Sequence, residues 1–126
     1  MADLGGMPLL NDYSLCRDTV TVYHEEDGAV TRAVHPRAFL GSKKTENVDR
    51  TGSSEANGFL LVIPGSTQAC RVGDKVMLGE GPQVPPGDVM AWWRTLIPTK
   101  VDGLVVVKHV EVKRWDGAIV HTEAGG

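Results

Sequence analysis

The chain has 126 residues, of which 41% are hydrophobic and 23% are charged, and this length and balance are typical of one folded domain with one core. The formal net charge of -3 argues against a protein whose main task is to grip nucleic acid, because such domains carry a dense basic face. No apolar run approaches the roughly 20 residues that cross a bilayer, and the N-terminus lacks the features of a signal peptide. The sequence therefore predicts a protein made in the cytoplasm that does not bind membranes.

The chain is expected to begin with a flexible arm at residues 1–15, which mix Gly, Pro and polar residues. Residues 16–126 are predicted to form a single β-barrel domain. Its first strand is predicted at 18–24, where β-branched and aromatic residues dominate. An Asp-Gly pair then predicts a tight turn into a second strand at 29–35. Pro36 is expected to interrupt hydrogen bonding before a short extended piece.

A long polar stretch at 42–58, within GSKKTENVDRTGSSEANG, separates that extended piece from the apolar run FLLVIP. Loops longer than about 12 to 15 residues are uncommon in compact domains and are usually functional or disordered. Basic and acidic residues are balanced in this stretch. We expect a functional loop, and the alternative is an unstructured surface loop.

The second half of the chain alternates short apolar runs with turn residues. Strands are predicted at 58–65, 75–78, 104–115 and 118–123, and residues 124–126 are expected to fray. The segment GPQVPPGD is too rich in proline for a helix or a central strand. In VMAWWRTLIP, residues 89–98, Asp88 could cap a short helix and Pro98 could end it, although an irregular strand also fits.

This order of elements predicts an all-β fold, either a small β-barrel or a sandwich. We expect six to seven short strands, the long inserted loop, and at most one short helix.

The histidines and cysteines do not form a recognisable catalytic or metal-binding motif. The four histidines (His24, His35, His109 and His121) lack metal-ligand spacing, although His109 and His121 could approach each other in a hairpin with wet faces. Cys16 and Cys70 lack CxxC spacing and are interpreted as buried or inert thiols. The sequence thus predicts no catalytic residues, no metal and no cofactor; a thiol nucleophile paired with a histidine stays open as an alternative.

Two adjacent tryptophans, Trp92 and Trp93, precede Arg94. They could form a stacking platform for a base or sugar, or an anchor in a core or interface. Tryptophan is enriched at protein interfaces. We therefore take these three residues as a candidate interface.

Four segments, KKTENVDRTG, LLVIP, VGDKV and DGAIVHTEAGG, occur in this order within residues 18–126. This pattern resembles the stopper, or head-completion, family of head-tail connectors in tailed phages and prophages of Gram-positive bacteria, proteins often described only as minor capsid proteins. The proline-rich GPQVPPGDVMAWW departs from the family pattern, so the resemblance gives no geometry for it.

The resemblance implies a noncatalytic virion protein at the head-tail junction, assembled in the host cytoplasm. It implies a homo-oligomeric ring, commonly dodecameric, between the portal and its adaptor and the tail. The ring surrounds passing double-stranded DNA without reading its sequence. Exposed strand edges could be covered by ring partners or adjacent neck proteins through edge pairing.

The resemblance also implies that the long loop projects toward the DNA channel and can close it. The residues that it would place there are Lys43, Lys44, Glu46, Asn47, Asp49, Arg50 and Glu55. Their mixed charge would limit sticking to a passing polyanion.

Three alternatives remain open. The first is another protein of the same module, such as a different neck, minor capsid or tail-terminator protein. The second is a small single-stranded nucleic-acid-binding β-barrel. The third is a cysteine-dependent hydrolase.

Overall fold

The computed structural model describes residues 13–44 and 57–126, and β-strands dominate it. The elements follow one another in this order: β1 (Asp18–Glu26), β2 (Ala29–Lys44), β3 (Asn57–Pro64), β4 (Lys75–Leu78), α1 (Val89–Thr95), β5 (Leu104–Val106), β6 (His109–Trp115) and β7 (Ala118–Gly125).

The seven strands form one antiparallel sheet with the order β5-β4-β1-β2-β3-β7-β6. The sheet is folded on itself, and its two halves pack like a sandwich. No ladder joins the outer strands β5 and β6, so the sheet does not close into a barrel. The all-β prediction is confirmed, and of its two architectures the sandwich-like one fits.

Strand β2 belongs to both halves of the sheet and makes the bend between them. Its pairing with β1 ends at Ala38, and its pairing with β3 begins at Phe39. The β1 register shifts between His35 and Ala38, which places Pro36 at a bulge. A bulge tolerates proline because the ladder is already disrupted there. The expected interruption of hydrogen bonding at Pro36 is confirmed, and the extended piece after it is longer than expected, because the strand bends there and continues to Lys44.

The main hydrophobic cluster lies between the two halves of the sheet. Its buried members come from β1, β2, β3, β4, β7 and two connections: Val20, Val22, Ala38, Leu61, Ile63, Cys70, Val76, Val107 and Ala124. A second cluster lies on the opposite face of β1, β4 and β5, and contains Tyr23, Met77, Leu96 and Leu104. Strand β1 is consequently buried on both faces, because the sheet halves cover one face and the segment around α1 covers the other.

The predicted strand at 104–115 is two strands, which lie at opposite ends of the strand order. Val107 is 1% exposed, and its amide donates to the carbonyl of Asp74, while the amide of Lys108 donates to the carbonyl of Gly125. The chain therefore crosses from one half of the sheet to the other at these two residues. The valine run hid this crossing, because Val107 points into the core as a strand residue would.

The last strand also runs further than expected. Ala124 pairs with both Leu61 and Val110, and Gly125 pairs with Leu60 and His109. The prediction that 124–126 fray was wrong, because burial of Ala124 in the main cluster holds the end of β7 in place.

Candidate functional site

The β2–β3 hairpin carries the long polar stretch at its end. The last two pairs of the hairpin are Lys43 with Gly58 and Lys44 with Asn57. Both lysines therefore belong to a strand, and the predicted loop at 42–58 is shorter by the strand residues at its two ends. The other predicted loop residues lie outside the described part of the chain: Glu46, Asn47, Asp49, Arg50 and Glu55.

The stem of this hairpin has an apolar outer face. Phe39 lies opposite Val62, and Gly41 lies opposite Leu60, which is 47% exposed. The Phe39 ring covers Gly41, since a Cβ added at Gly41 would lie 2.8 Å from Phe39 Cζ. A larger side chain at Gly41 would therefore have to displace the Phe39 ring from this face.

Of the two alternatives left open for 89–98, the structure has the short helix, over Val89–Thr95. The Asp88 carboxylate accepts a hydrogen bond of 3.2 Å from the Ala91 amide, which caps the N-terminus as expected. The helix ends three residues before Pro98, and the Leu96 side chain is buried in the second cluster.

Both adjacent tryptophans pack against the second cluster and are half-buried, whereas Arg94 is exposed. Trp92 meets Tyr23 edge to face, with 5.5 Å between ring centroids. The Lys75 ammonium lies 4.2 Å from the centroid of Trp93 and donates a hydrogen bond to its carbonyl. Burial lowers the pKa of Lys75. A cation already lies over Trp93, which leaves less of this ring for a nucleic-acid base to stack on.

Polar side chains from β1 and β2 hold the segment that leads into the proline-rich connector. Thr21 Oγ1 donates to the Gly79 carbonyl and accepts from the Gly81 amide, both at 2.8 Å. The Tyr23 hydroxyl donates to the Pro82 carbonyl at 2.7 Å, and the Arg32 guanidinium donates twice to the Gly81 carbonyl. We call Thr21, Tyr23 and Arg32 the connector clamp. The clamp fixes backbone that could not form regular structure by itself.

His24 joins β1 to the turn before β4. Its Nδ1 lies 2.6 Å from a carboxylate oxygen of Asp74, and its Nε2 lies 3.2 Å from Glu26. Asp74 is 3% exposed and also accepts from the Arg71 amide. The hydrogen bond with Asp74 raises the pKa of His24. This arrangement has the form of a structural clip between β1 and the 71–74 turn.

His121 anchors the chain where it enters the described structure. The hydroxyl of Tyr13 lies 2.8 Å from His121 Nδ1, and Glu123 lies 3.0 Å from His121 Nε2. His121 is 6% exposed, so the expectation that it lies on a wet face was wrong. His109, on β6, pairs with Gly125, which lies four positions from His121 along β7. The two histidines therefore do not meet. Tyr13 belonged to the predicted arm, of which residues 1–12 lie outside the described part of the chain.

The two cysteines are free and buried. Burial raises the pKa of the Cys70 thiol to about 12, and the nearby Asp74 charge acts in the same direction. Burial also raises the pKa of Cys16. A nucleophilic cysteine needs a lowered pKa and access to substrate, and neither thiol has them.

Within residues 13–44 and 57–126, no group of three or more His, Cys, Asp or Glu side chains is arranged to hold a metal ion. None of the helical structure in the same residues is long and apolar enough to cross a membrane.

The predicted strand at 104–115 ended at Trp115, but nothing in the prediction placed this tryptophan on an outer strand. Trp115 is 57% exposed beside the Asp116-Gly117 turn, and β6 is an outer strand with alternating Val and charged residues. The alternation of valines with charged residues and the Asp-Gly turn are visible in VEVKRWDG. The prediction of one continuous strand over 104–115 nevertheless gave no reason to expect an outer strand of the sheet there.

Comparison with family models, with curated proteins and with solved structures gave no match to this chain.

Proposed function

We propose that this chain is a structural protein of a tailed phage or prophage and joins the DNA-filled head to the tail as part of a neck ring. The observation that carries the proposal is the β2–β3 hairpin, whose two paired strands hold the ends of the polar segment 45–56. The two strands can hold the ends of such a segment without burying it in the core, because the segment is polar and has little apolar surface to pack. The resemblance of the surrounding segments to stopper proteins supplies the neck assignment.

The proposed role is noncatalytic. Buried thiols with raised pKa values favour a structural role over a cysteine-dependent hydrolase. Packing of Trp92 against Tyr23, and of Lys75 against Trp93, argues against a free stacking platform for single-stranded nucleic acid. These rivals are accordingly less well supported than the neck role. Another place in the same module, such as tail terminator, differs from it in the partner that is bound.

In the proposed ring, segment 45–56 faces the DNA channel and contributes to closing it after packaging. Its one basic residue, Arg50, together with Lys43 and Lys44 at the end of β2, would contact phosphates or neighbouring carboxylates, and its acidic residues would limit adhesion to DNA. Portal and adaptor proteins would lie on one side of the ring and the tail on the other.

The experiment is electron microscopy of a lysate in which this gene is disabled in its parent phage or prophage. The neck role predicts heads that leak or lack DNA beside complete, unattached tails, and restoration of joined particles when the intact gene is supplied. Joined, infectious particles without the gene product would reject the proposal. Heads with defective tails would instead assign the protein to the tail.

A second complementing gene tests the polar segment. It encodes the chain with 45–56 replaced by a Gly-Ser linker of equal length, which leaves Lys44 and Asn57 at the ends of their strands. We expect joined particles that retain DNA poorly. Full DNA retention with this variant would remove the channel role of the segment and leave the joining role intact.

A further inference from the structure

β6 is the longer of the two outer strands in the described part of the sheet, and one of its sides is free. β6 has seven residues and pairs only with β7 within residues 13–44 and 57–126, whereas the opposite outer strand, β5, has three. Its pairing with β7 shifts register between Lys113 and Arg114, and the extra residue, Val120, lies on β7. Strand β6 itself therefore stays regular and can accept another strand.

We propose that β6 pairs antiparallel with β6 of a second copy of this chain, across a two-fold axis at Val112. The proposal goes beyond the neck role and does not rest on it. The occupant is identified by the charges along the strand, because only a few registers bring β6 against its own copy with matching faces.

In the proposed register, Val112 lies opposite Val112 of the second copy. Glu111 then lies opposite Lys113 of the second copy, and the same pair recurs on the other side of the axis. All seven residues of β6 overlap in this arrangement. Opposite charges directly across a strand pair are stabilising, and like charges are destabilising.

The neighbouring registers of the same two-fold type are disfavoured. An axis at Glu111 sets two Glu111 side chains against each other, and an axis at Lys113 sets two Lys113 side chains against each other. Axes between residues would oppose side chains from different faces of the sheet, which the pleat does not allow. Charge therefore disfavours these two neighbouring registers, and the register with its axis at Val112 also gives the greatest overlap of the two strands.

The present environment of Glu111 favours such a partner. Glu111 lies directly opposite Glu123 in the β6–β7 ladder, which is a like-charge pair. Lys113 partly compensates, with its ammonium 3.1 Å from Glu111 and 4.0 Å from Glu123. A lysine from the second copy would add a positive charge on the open flank of Glu111.

The ends of the strand are also matched. His109 is exposed, and in the same register it lies opposite Trp115 of the second copy, which is 57% exposed in the single chain. Pairing would therefore cover the most exposed tryptophan of the described residues. A two-fold contact closes at two copies, so a ring of this chain would need a different surface.

The first test measures self-association of the full chain by sedimentation velocity over a wide range of concentration. The unmodified chain is expected to dimerise. Glu111→Lys and Lys113→Glu each place like charges opposite one another twice, and each is expected to weaken the dimer roughly tenfold. The double variant Glu111→Lys/Lys113→Glu restores opposite charges and should regain most of the association. This rescue separates a charge-matched pair from a general effect on folding.

The second test is a disulfide trap that reports the register. Two copies of Val112→Cys would place their Cα atoms about 5 Å apart, within the range of a disulfide. Val110→Cys is the matched control, because its two copies would lie about 13 Å apart, four positions along the strands. With oxidised glutathione as the oxidant, Val112→Cys should give a covalent dimer and Val110→Cys should not.

The proposal is overturned by a chain that stays monomeric at all concentrations and gives no Val112→Cys dimer. It is also overturned by a dimer that ignores the charge variants, or that is trapped equally well through Val110→Cys, since either result places the contact elsewhere. These outcomes do not touch the neck role, which the lysate experiment decides.

Discussion

Gly81 shows how a single residue fixes the connector between β4 and α1. A Cβ added there would overlap the Tyr23 hydroxyl and lie 3.0 Å from Met77 Sδ, while the backbone of Gly81 is held by Thr21 and Arg32. Glycine is therefore required at this position for space, and the connector clamp depends on it.

We expect Gly81→Ala to lower the free energy of unfolding by about 1–3 kcal/mol, the usual cost of overpacking. Gly87→Ala is the matched control, because nothing lies within 4 Å of its added Cβ. The control should be neutral or up to about 1 kcal/mol more stable through reduced freedom of the unfolded chain. Urea unfolding measures both, and equal stabilities would contradict the close packing of Gly81 on Tyr23.

The clip between His24 and Asp74 predicts a pH dependence of stability. Because the folded pKa of His24 is raised above its ordinary value of 6.5, its contribution is fully present below 6.5 and is lost as pH rises through the folded pKa. The difference in unfolding free energy between the unmodified chain and His24→Gln should therefore shrink as pH rises above 6.5. Urea unfolding at several pH values measures this, and a constant difference would refute the clip.

His35 should show a pH dependence of stability opposite to that of His24, and so serves as its control. Burial lowers the pKa of His35, so its contribution is present above 6.5 and is lost as pH falls through the folded pKa. The difference between the unmodified chain and His35→Gln should change below 6.5 and stay flat above it. If both variants changed in the same pH window, the assignment of the two histidines would be wrong.

The buried thiols predict slow chemistry in the folded protein. Cys16 and Cys70 have raised pKa values and are 8% and 2% exposed, and the thiolate is the reactive form. We expect almost no reaction with Ellman's reagent at neutral pH in the folded chain, and reaction of both thiols in urea. Rapid labelling of Cys70 in the folded chain would revive the hydrolase alternative.

At the scale of elements, α1 depends on its two tryptophans for attachment to the sheet. Trp92 packs on Tyr23, and Trp93 packs beneath the Lys75 ammonium. Trp92→Ala/Trp93→Ala is expected to cost about 2 kcal/mol or more, because both side chains are half-buried in the second cluster. Trp115→Ala, at an exposed tryptophan, should cost less than about 1 kcal/mol. Equal losses in urea unfolding would show that the pair is not part of the packing.

This packing changes how the candidate interface is tested. A role for Trp92, Trp93 and Arg94 in docking stays a prediction, but weaker assembly of the tryptophan variant is informative only when its folded fraction is known. Arg94→Ala is the cleaner substitution, since Arg94 is exposed on the last turn of α1.

Local signals in the sequence predicted the elements that local chemistry determines. The Asp27-Gly28 and Asp116-Gly117 turns have positive φ at both residues, as tight hairpin turns require, and Asp88 caps α1. The break between β5 and β6 was not predictable in this way, because Val107 leaves the ladder to fill a core that forms only from distant strands. The continuation of β2 past Pro36 likewise depends on a bulge opposite β1.

The candidate site was predicted less completely than the fold. Lys43 and Lys44 are at the hairpin end that the sequence indicated, although on a strand. The connector clamp was missed because Thr21, Tyr23 and Arg32 find their carbonyl partners about 50 to 60 residues away in the chain. The sequence of a strand does not indicate which distant backbone carbonyl a polar side chain on it will bind.

At the scale of the whole molecule, the two halves of the sheet differ in how they are covered. One half has a hydrophobic cluster on each face, and the other half has a cluster on one face only. β1 and β4 lie between two hydrophobic clusters, whereas β3, β7 and β6 cover the main cluster with one face only. The hairpin end, the outer face of β3 and the free edge of β6 therefore belong to the half with available surface. If the proposed neck role holds, we expect contacts with partners to use that half.

The measurement that tests the neck role most directly is the location of the protein in purified particles. Antibodies raised against the purified chain, coupled to gold, would be viewed on intact particles and on separated heads and tails by electron microscopy. The account predicts label at the single point where head and tail join. Label along the tail, label over the head shell, or particles that contain none of the protein would contradict it.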